Sequence, residues 1–250
     1  MISAMLDGGI GARMFQIATT YALALDNNDV CAFDLNMGSI SQDHLASEYR
    51  DNILRNVKDL PANWVAESYY PERRHDFDPI PYKKNMMLKG FFTSEKYFQH
   101  RRKEIIELFK SMEYFDSKYW KNSVSLHVRR GDYLVNASHV CSEEYYRKAL
   151  IHIDTITQID FIYVVSDDIP WCKEIFKDKR IFFIEGVPDY IDFYAQTICS
   201  HNIISNSTFS RMATFLNENE GKIVIAPAVW FGGSMAHEAL DVFDNNFIFI

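Results

Sequence analysis

From Ser123 onward the chain repeats one pattern, a short β-prone apolar run followed by a helical stretch. The runs fall at Ser123 to Val128, Phe161 to Ser166, Ile181 to Ile184, His201 to Ser205 and Lys222 to Ala226. Strands separated by helices of this length pair in parallel through right-handed crossovers, which restricts this half to a doubly wound α/β sheet. In such sheets ligands sit beyond the carboxyl ends of the strands, so polar clusters there are where chemistry is to be sought.

The first forty residues open the same way. A short strand (Ile2 to Leu6), a glycine turn, a helix from Ala12 to Leu25 and a second strand (Val30 to Phe33) read as a βαβ unit. Between Asn36 and Tyr82 the chain is polar and interrupted by Pro61, Pro71, Pro79 and Pro81, which predicts loops and short helices. Leu88 to Phe92 is apolar, and Glu95 to Met112 reads as a helix that closes the first half with Ile105, Ile106, Leu108 and Phe109 inward. With 250 residues against a prior of roughly 150 per domain, two halves, 1–115 and 116–250, are expected.

Composition narrows the function. An apolar fraction of 48% supports a real core, and 26 basic against 34 acidic residues give a net charge of -8, which excludes nucleic acid as the main partner. No run approaches the roughly 18 apolar residues of a membrane span, and Asp7 and Gly8 interrupt the start too early for a signal peptide. A cytoplasmic protein, free or peripheral to a membrane, is expected. Cys31, Cys141, Cys172 and Cys199 are widely spaced and read as buried, reduced thiols.

Four polar clusters carry chemistry. His127-Val128-Arg129-Arg130-Gly131-Asp132-Tyr133 leaves the first strand of the second half, where two guanidinium forks can meet a diphosphate, Gly131 permits a tight turn and Asp132 can hold one fork. The embedded Arg130-Gly131-Asp132 tripeptide is discounted as an integrin ligand. Asn206-Ser207-Thr208-Phe209-Ser210 joins a strand to a helix, where hydroxyls cap the helix and free amides can hold an anion. Asp167-Asp168 end another strand and either accept hydrogen bonds from a base or ribose or begin the next turn. Asp7-Gly8-Gly9-Ile10-Gly11-Ala12-Arg13 is a glycine turn that lets a ligand approach the backbone at Gly9 and Gly11. With Asp34 about 20 residues on, it partly matches a dinucleotide fingerprint, although Met14 takes the third glycine position. Asp76-Phe77-Asp78 looks like a metal-binding D-x-D but has no strand before it and reads as a solvated turn.

Together with Gly90-Phe91-Phe92-Thr93-Ser94-Glu95-Lys96-Tyr97-Phe98, these blocks resemble glycosyltransferase family 11, the inverting α1,2-fucosyltransferases, in their bacterial or viral form. The likeness runs from residue 8 to Trp230-Phe231. It implies an α/β, GT-B-like fold, two Rossmann-like halves facing a cleft, with the acceptor on the N-terminal half and the GDP-sugar donor on the C-terminal half. It also implies GDP-fucose as donor, a galactose-containing glycan as acceptor, and no metal. By resemblance Arg129 matches the arginine that binds the donor pyrophosphate, with His127 beside it; Asn206 to Ser210 match the second donor block, and Asp167 and Asp168 the acidic pair near the nucleotide. Arg129, His127 and Asp132 are thus the catalytic candidates. Gly9, Gly11, Arg13, Arg130, Asp167, Asp168, Asn206, Ser207, Thr208, Phe209 and Ser210 are the substrate-binding ones.

The chain departs from the family at Ala12-Arg13, usually Asn-Gln, and at Arg211-Met212, usually Trp-Trp, positions expected to face the cleft. Asp132, His139 and Glu143 are equal candidates for the general base. Two other readings stay open: an NAD-dependent oxidoreductase, from the glycine turn and Asp34, and a non-catalytic sugar-nucleotide or glycan-binding module.

Overall fold

In the computed structural model the described residues are 1–36, 45–110, 119–230, 241 and 246–250, the side chains of residues 136–139 excepted. They fall into two compact units, Met1–Met112 with Glu238–Asp244, and Glu113–His237 with Asn245–Ile250. The expected division near residues 115 and 116 lies outside the described residues, as do Met112 and Phe231.

In the first unit β1 (Ser3–Ala4), β2 (Ser68–Pro71) and β3 (Met86–Lys89) form a parallel sheet in the order β1-β3-β2. The helix α1 (Ile10–Asp26) follows β1, and α2 (Arg102–Leu108) follows β3. Buried residues run along α1 from Ile10 to Thr20 without a polar face, as in a helix central to its unit. It ends where Asn28 turns to φ 51 and the Asp29 amide donates back to Ala24 O at 2.9 Å, an asparagine taking the left-handed place that glycine often fills.

Three expectations need correction in this unit. Val30 to Phe33 is not a strand: it makes only the isolated bridges Ile2↔Cys31 and Phe33↔Asp59. β2 lies inside the segment read as loops; its proline is the last strand residue, where the missing N–H costs the ladder little. Glu95 onward begins as two 3-10 turns, Glu95–Tyr97 and Gln99–Arg101, before α2, because Phe98 leaves helical geometry at φ -139 to pack its ring 5.5 Å from Phe15.

The second unit follows its sequence pattern closely. The strands β4 (Ser123–Val128), β5 (Phe161–Ser166), β6 (Ile181–Phe183), β7 (His201–Ile203), β8 (Val224–Ala226) and β9 (Ile248–Phe249) alternate with α3 (Glu143–Ile156), α4 (Ile169–Ile175), α5 (Asp189–Ile198) and α6 (Thr208–Leu216). All pair in parallel in the order β6-β5-β4-β7-β8-β9, so the direction of winding reverses between β4 and β7. That is the Rossmann order, and the reversal marks where ligands bind. The α/β class, with parallel sheets in both units, is the GT-B-like composition expected.

β4 is buried on both faces, and its two faces differ. Val124, Leu126 and Val128 join an apolar cluster with Tyr146, Ala149 and Ile153 of α3 and with Ile162 and Val164 of β5. Ser125 and His127 meet polar partners instead: Asn202 Nδ2 donates to Ser125 Oγ at 2.7 Å, and His127 Nδ1 shares a hydrogen bond with the Ser205 hydroxyl at 2.8 Å. Asn217 extends the ladder by donating to Asn202 Oδ1 at 3.0 Å. A buried polar row of this kind is stable only because each member is paired.

Candidate functional site

The site of the second unit is built on the turns after β4, β5 and β7. Arg129 and Arg130 leave β4 just as its neighbour β5 delivers Asp167 and Asp168, so the two pairs meet across the sheet edge. Arg129 is clamped between two carboxylates, Asp132 Oδ1 at 2.6 Å and Asp167 Oδ2 at 2.8 Å, and its guanidinium lies 5.5 Å from the Tyr133 ring centre. Arg130 turns the other way. Its Nε donates to Asp168 Oδ2 at 3.0 Å and its guanidinium stacks 4.0 Å above Trp171. Asp168 also caps α4 by accepting the Trp171 amide at 3.2 Å, so the acidic pair both begins the next turn and holds the arginines.

Gly131 is required by space. A Cβ there would lie 2.6 Å from Asp167 Oδ2, the oxygen that holds Arg129. On the far side of the winding reversal, Ser207 caps α6 by accepting the Phe209 amide at 3.3 Å, and Thr208 and Phe209 open the helix. Its first-turn amides and the positive end of its dipole thus face the same sheet edge as the arginines. Ser210 is turned inward, fully buried, with its hydroxyl on Ser207 O at 3.3 Å. Tyr133 ties the two turns together by donating to Asn206 O at 3.3 Å, and the Asn206 side chain donates to Trp230 O at 3.0 Å.

Electrostatics divide the candidates. Burial, then the nearby Arg129 charge, pushes the His127 imidazole down to about 3, so it is neutral and adds no positive charge to the site. Its ring, 5.5 Å from Phe209, is structural in its contacts. Tyr133 is pushed up to about 12 by burial and stays a donor. Among the general-base candidates, Glu143 is engaged by Arg147 at 2.5 Å on α3, Asp132 is half-exposed and paired with Arg129, and the His139 side chain lies outside the described residues.

A residue that sequence reasoning missed is Asp192, in the first turn of α5. Burial, then the neighbouring Asp189, raises its carboxyl to about 7, and its Oδ1 is buried without a hydrogen-bond partner among the described residues. The element order places it at the carboxyl end of β6, on the same sheet edge as the arginines. It shares the first turn of α5 with Asp189, just before the buried residues Phe193, Tyr194, Ala195 and Gln196, and no motif singles it out.

In the first unit the glycine turn precedes α1. Gly8 takes φ 81, and Gly9 is the cap residue, its carbonyl accepting the Arg13 amide at 3.1 Å. Gln16 staples this turn: it accepts the Asp7 amide at 3.0 Å and donates to Gly90 O at 3.0 Å. Glu72 holds the Gly90 loop by accepting the Phe91 and Phe92 amides at 2.7 and 2.9 Å. Gly11 is buried within α1, and Arg13 is 1% exposed, its guanidinium depressed by burial while Tyr49, Asp7 and Glu48 oppose the shift.

The departures expected to face a cleft are interior residues: Ala12, Arg13, Arg211 and Met212 are all buried, and Arg211 lies 5.4 Å from the Trp230 ring centre. Asp34 spends a carboxylate oxygen on the Asn36 amide at 2.9 Å, a local turn. Asp76 likewise accepts the Asp241 amide at 3.2 Å.

The family model described as glycosyl transferase family 11 matches residues 3–250. Among curated proteins the chain is similar to an α-1,2-colitosyltransferase of Escherichia coli, 28% identical over 98% of this chain and 96% of that protein. It is also similar to galactoside α-(1,2)-fucosyltransferase 2 of Oryctolagus cuniculus, 27% identical over 84% of this chain and 65% of that protein. Among solved structures it matches NodZ α-1,6-fucosyltransferase soaked with GDP-fucose at a TM-score of 0.45 and 10% identity, over 86% and 92% of the two chains.

Proposed function

The chain belongs to glycosyl transferase family 11, and on that premise we propose that it transfers fucose from GDP-fucose to a galactose-type hydroxyl of a glycan with inversion, forming an α1,2 linkage. The observation that carries this reading is the pairing of the arginine turn after β4 with the α6 start after β7, the two joined by the Tyr133 hydroxyl at the point where the sheet reverses its winding. A nucleoside diphosphate laid across that edge meets a guanidinium on one side and helix-start amides on the other. We assign the donor to this unit and the acceptor to the first.

As the glycosidic bond breaks, negative charge grows on the departing diphosphate. Arg129 and the Ser207 to Thr208 turn, already fixed by the protein, stabilise that charge more in the transition state than in the ground state. Arg130, held by Asp168 and Trp171, positions this turn. Asp192 is suited to the base: guanine offers two adjacent N–H donors to a carboxylate, and a buried unpaired oxygen gains most from them. Arg129 and the α6 start supply the charge that a divalent metal would otherwise bring, so no metal is needed for transfer. Asp132, released from Arg129 by the diphosphate, is the favoured base for the acceptor hydroxyl.

A colitosyl donor is the second reading, favoured by the relative matched over 98% of this chain. The test is a thermal-shift panel of GDP, GDP-fucose, GDP-mannose, UDP-sugars and NAD, followed by transfer assays on galactosides with linkage analysis. Stabilisation by GDP and GDP-fucose with an α1,2 product is the expected result. Stabilisation by NAD alone would return the oxidoreductase reading, and binding of GDP-sugars without turnover on any galactoside would leave a non-catalytic module.

A further inference from the structure

At the opposite end of α1 from the glycine turn, the first unit holds a cavity of about 510 Å3 that the donor chemistry does not use. Tyr21, Ala24 and Leu25 of the last turns of α1, Cys31 and Phe33 of the following segment, and Leu108 at the end of α2 form its walls. The volume is that of a small-molecule site, roughly 300 to 1,000 Å3, and the lining is the apolar kind such sites have. Burial pushes the Cys31 thiol up to about 12, so even the sulfur is a neutral wall atom.

The charges at the mouth are not equivalent. Asp29 accepts the Tyr82 hydroxyl and the Val30 amide, both at 2.8 Å. Glu104 pairs with Arg101 at 3.4 Å, and Glu107 with Lys110 at 3.1 Å. Lys58 and Lys103, both exposed, make no ion pair among the described residues. The acids at the rim are therefore engaged, and two ammonium groups without an ion pair among the described residues remain beside an apolar interior. Val30, 52% exposed at the lip, extends the apolar surface outward.

Two cations with no ion pair among the described residues, over an apolar cavity, match a ligand with a hydrocarbon body and a head of nearly two negative charges. A phosphate monoester carries about -1.5 to -2 at neutral pH, whereas a carboxylate carries only one. We infer that this cavity binds the hydrocarbon chain of a lipid monophosphate, whose head group Lys58 and Lys103 receive at the mouth. The inference is independent of the donor reading, because it concerns different residues and its readout is binding.

Dodecyl phosphate, kept below its micelle concentration, is the probe, with dodecyl maltoside and inorganic phosphate as comparators in titration calorimetry on the full chain. Dodecyl phosphate is expected to bind at least tenfold more tightly than either comparator, and the double variant K58E/K103E to lose that advantage while melting as the parent does. Ala24→Trp, which fills the cavity, is expected to remove binding of dodecyl phosphate; if it does not fold, Val30→Glu at the exposed lip is expected to weaken it at least tenfold. Equal affinity for the two dodecyl compounds, equal affinity for inorganic phosphate, or undiminished binding by a folded K58E/K103E protein would each overturn the assignment.

Discussion

Arg129 Nη1 lies 2.8 Å from Asp167 Oδ2, and the other oxygen of that carboxylate accepts the Arg130 backbone amide at 2.8 Å. One acid therefore fixes both the guanidinium and the backbone that carries it. The two arginines nevertheless have different tasks, and lysine separates them. Arg129→Lys should lose about 2 to 4 kcal/mol of transition-state stabilisation, by analogy with loss of one oxyanion donor, while keeping its fold. Arg130→Lys should keep most turnover and lose about 1 kcal/mol of stability, the stacking on Trp171 and the fixed fork being worth about that. Steady-state kinetics beside melting curves check both; a folded Arg129→Lys with near-normal turnover removes that residue from the site.

Gly131→Ala is the steric counterpart. The new methyl group must displace Asp167 Oδ2, and that oxygen is not free to swing because Arg129 holds it. Transfer should fall about tenfold, or about 1.4 kcal/mol, with a smaller change in melting temperature. Full activity in this variant would show that the clamp on Arg129 is dispensable.

Stability against pH should show two groups, the half-buried Asp192 and the buried His127, pulling in opposite directions. Asp192 binds its proton more tightly folded than unfolded, so its contribution is present below its ordinary carboxylate value, near 4, and is lost as pH rises through about 7. His127 is the reverse: the unfolded imidazole binds a proton that the folded one refuses down to about 3, so its contribution grows as pH rises through that range to about 6.5. Asp192→Asn should therefore melt higher than the parent at pH 7 to 8 and equally at pH 4. Denaturant titrations across pH 4 to 8 measure it, and a constant difference at every pH would sink the assignment of the raised carboxyl.

Transfer should persist in excess chelator. Addition of magnesium or manganese should change the rate by less than about twofold, since Arg129 and the α6 start carry the leaving-group charge. An assay in which chelator abolishes transfer and a divalent ion restores it would contradict the mechanism.

Much of the second unit was legible because its strands are bounded apolar runs, and Arg129, Asp167 and Ser207 follow them directly. The first unit was harder. β2 reads Ser68-Tyr69-Tyr70-Pro71, too short and too close to prolines to stand out, and it exists because β3 supplies its ladder. Phe98 broke the helix expected from Glu95 because a ring contact with Phe15, distant in sequence, outweighed local propensity. Arg13 and Arg211, expected to face the cleft as departures from the family pattern, are both buried, a placement no period of the sequence reveals. Asp192 was unreadable for the converse reason: its raised carboxyl comes from the desolvating fold around it and then from Asp189, not from a motif.

The two-faced strand β4 has a consequence for error as well as for shape. Side chains alternate along a strand, so a slip of one residue against β7 would send Ser125 and His127 into the apolar layer and strip Asn202 and Ser205 of their partners. Here a one-residue slip leaves polar groups stranded in the apolar layer. The same ladder that looks like an unnecessary polarity in the core thus penalises a one-residue slip and favours the register in which the turns after β4 and β7 lie level with each other.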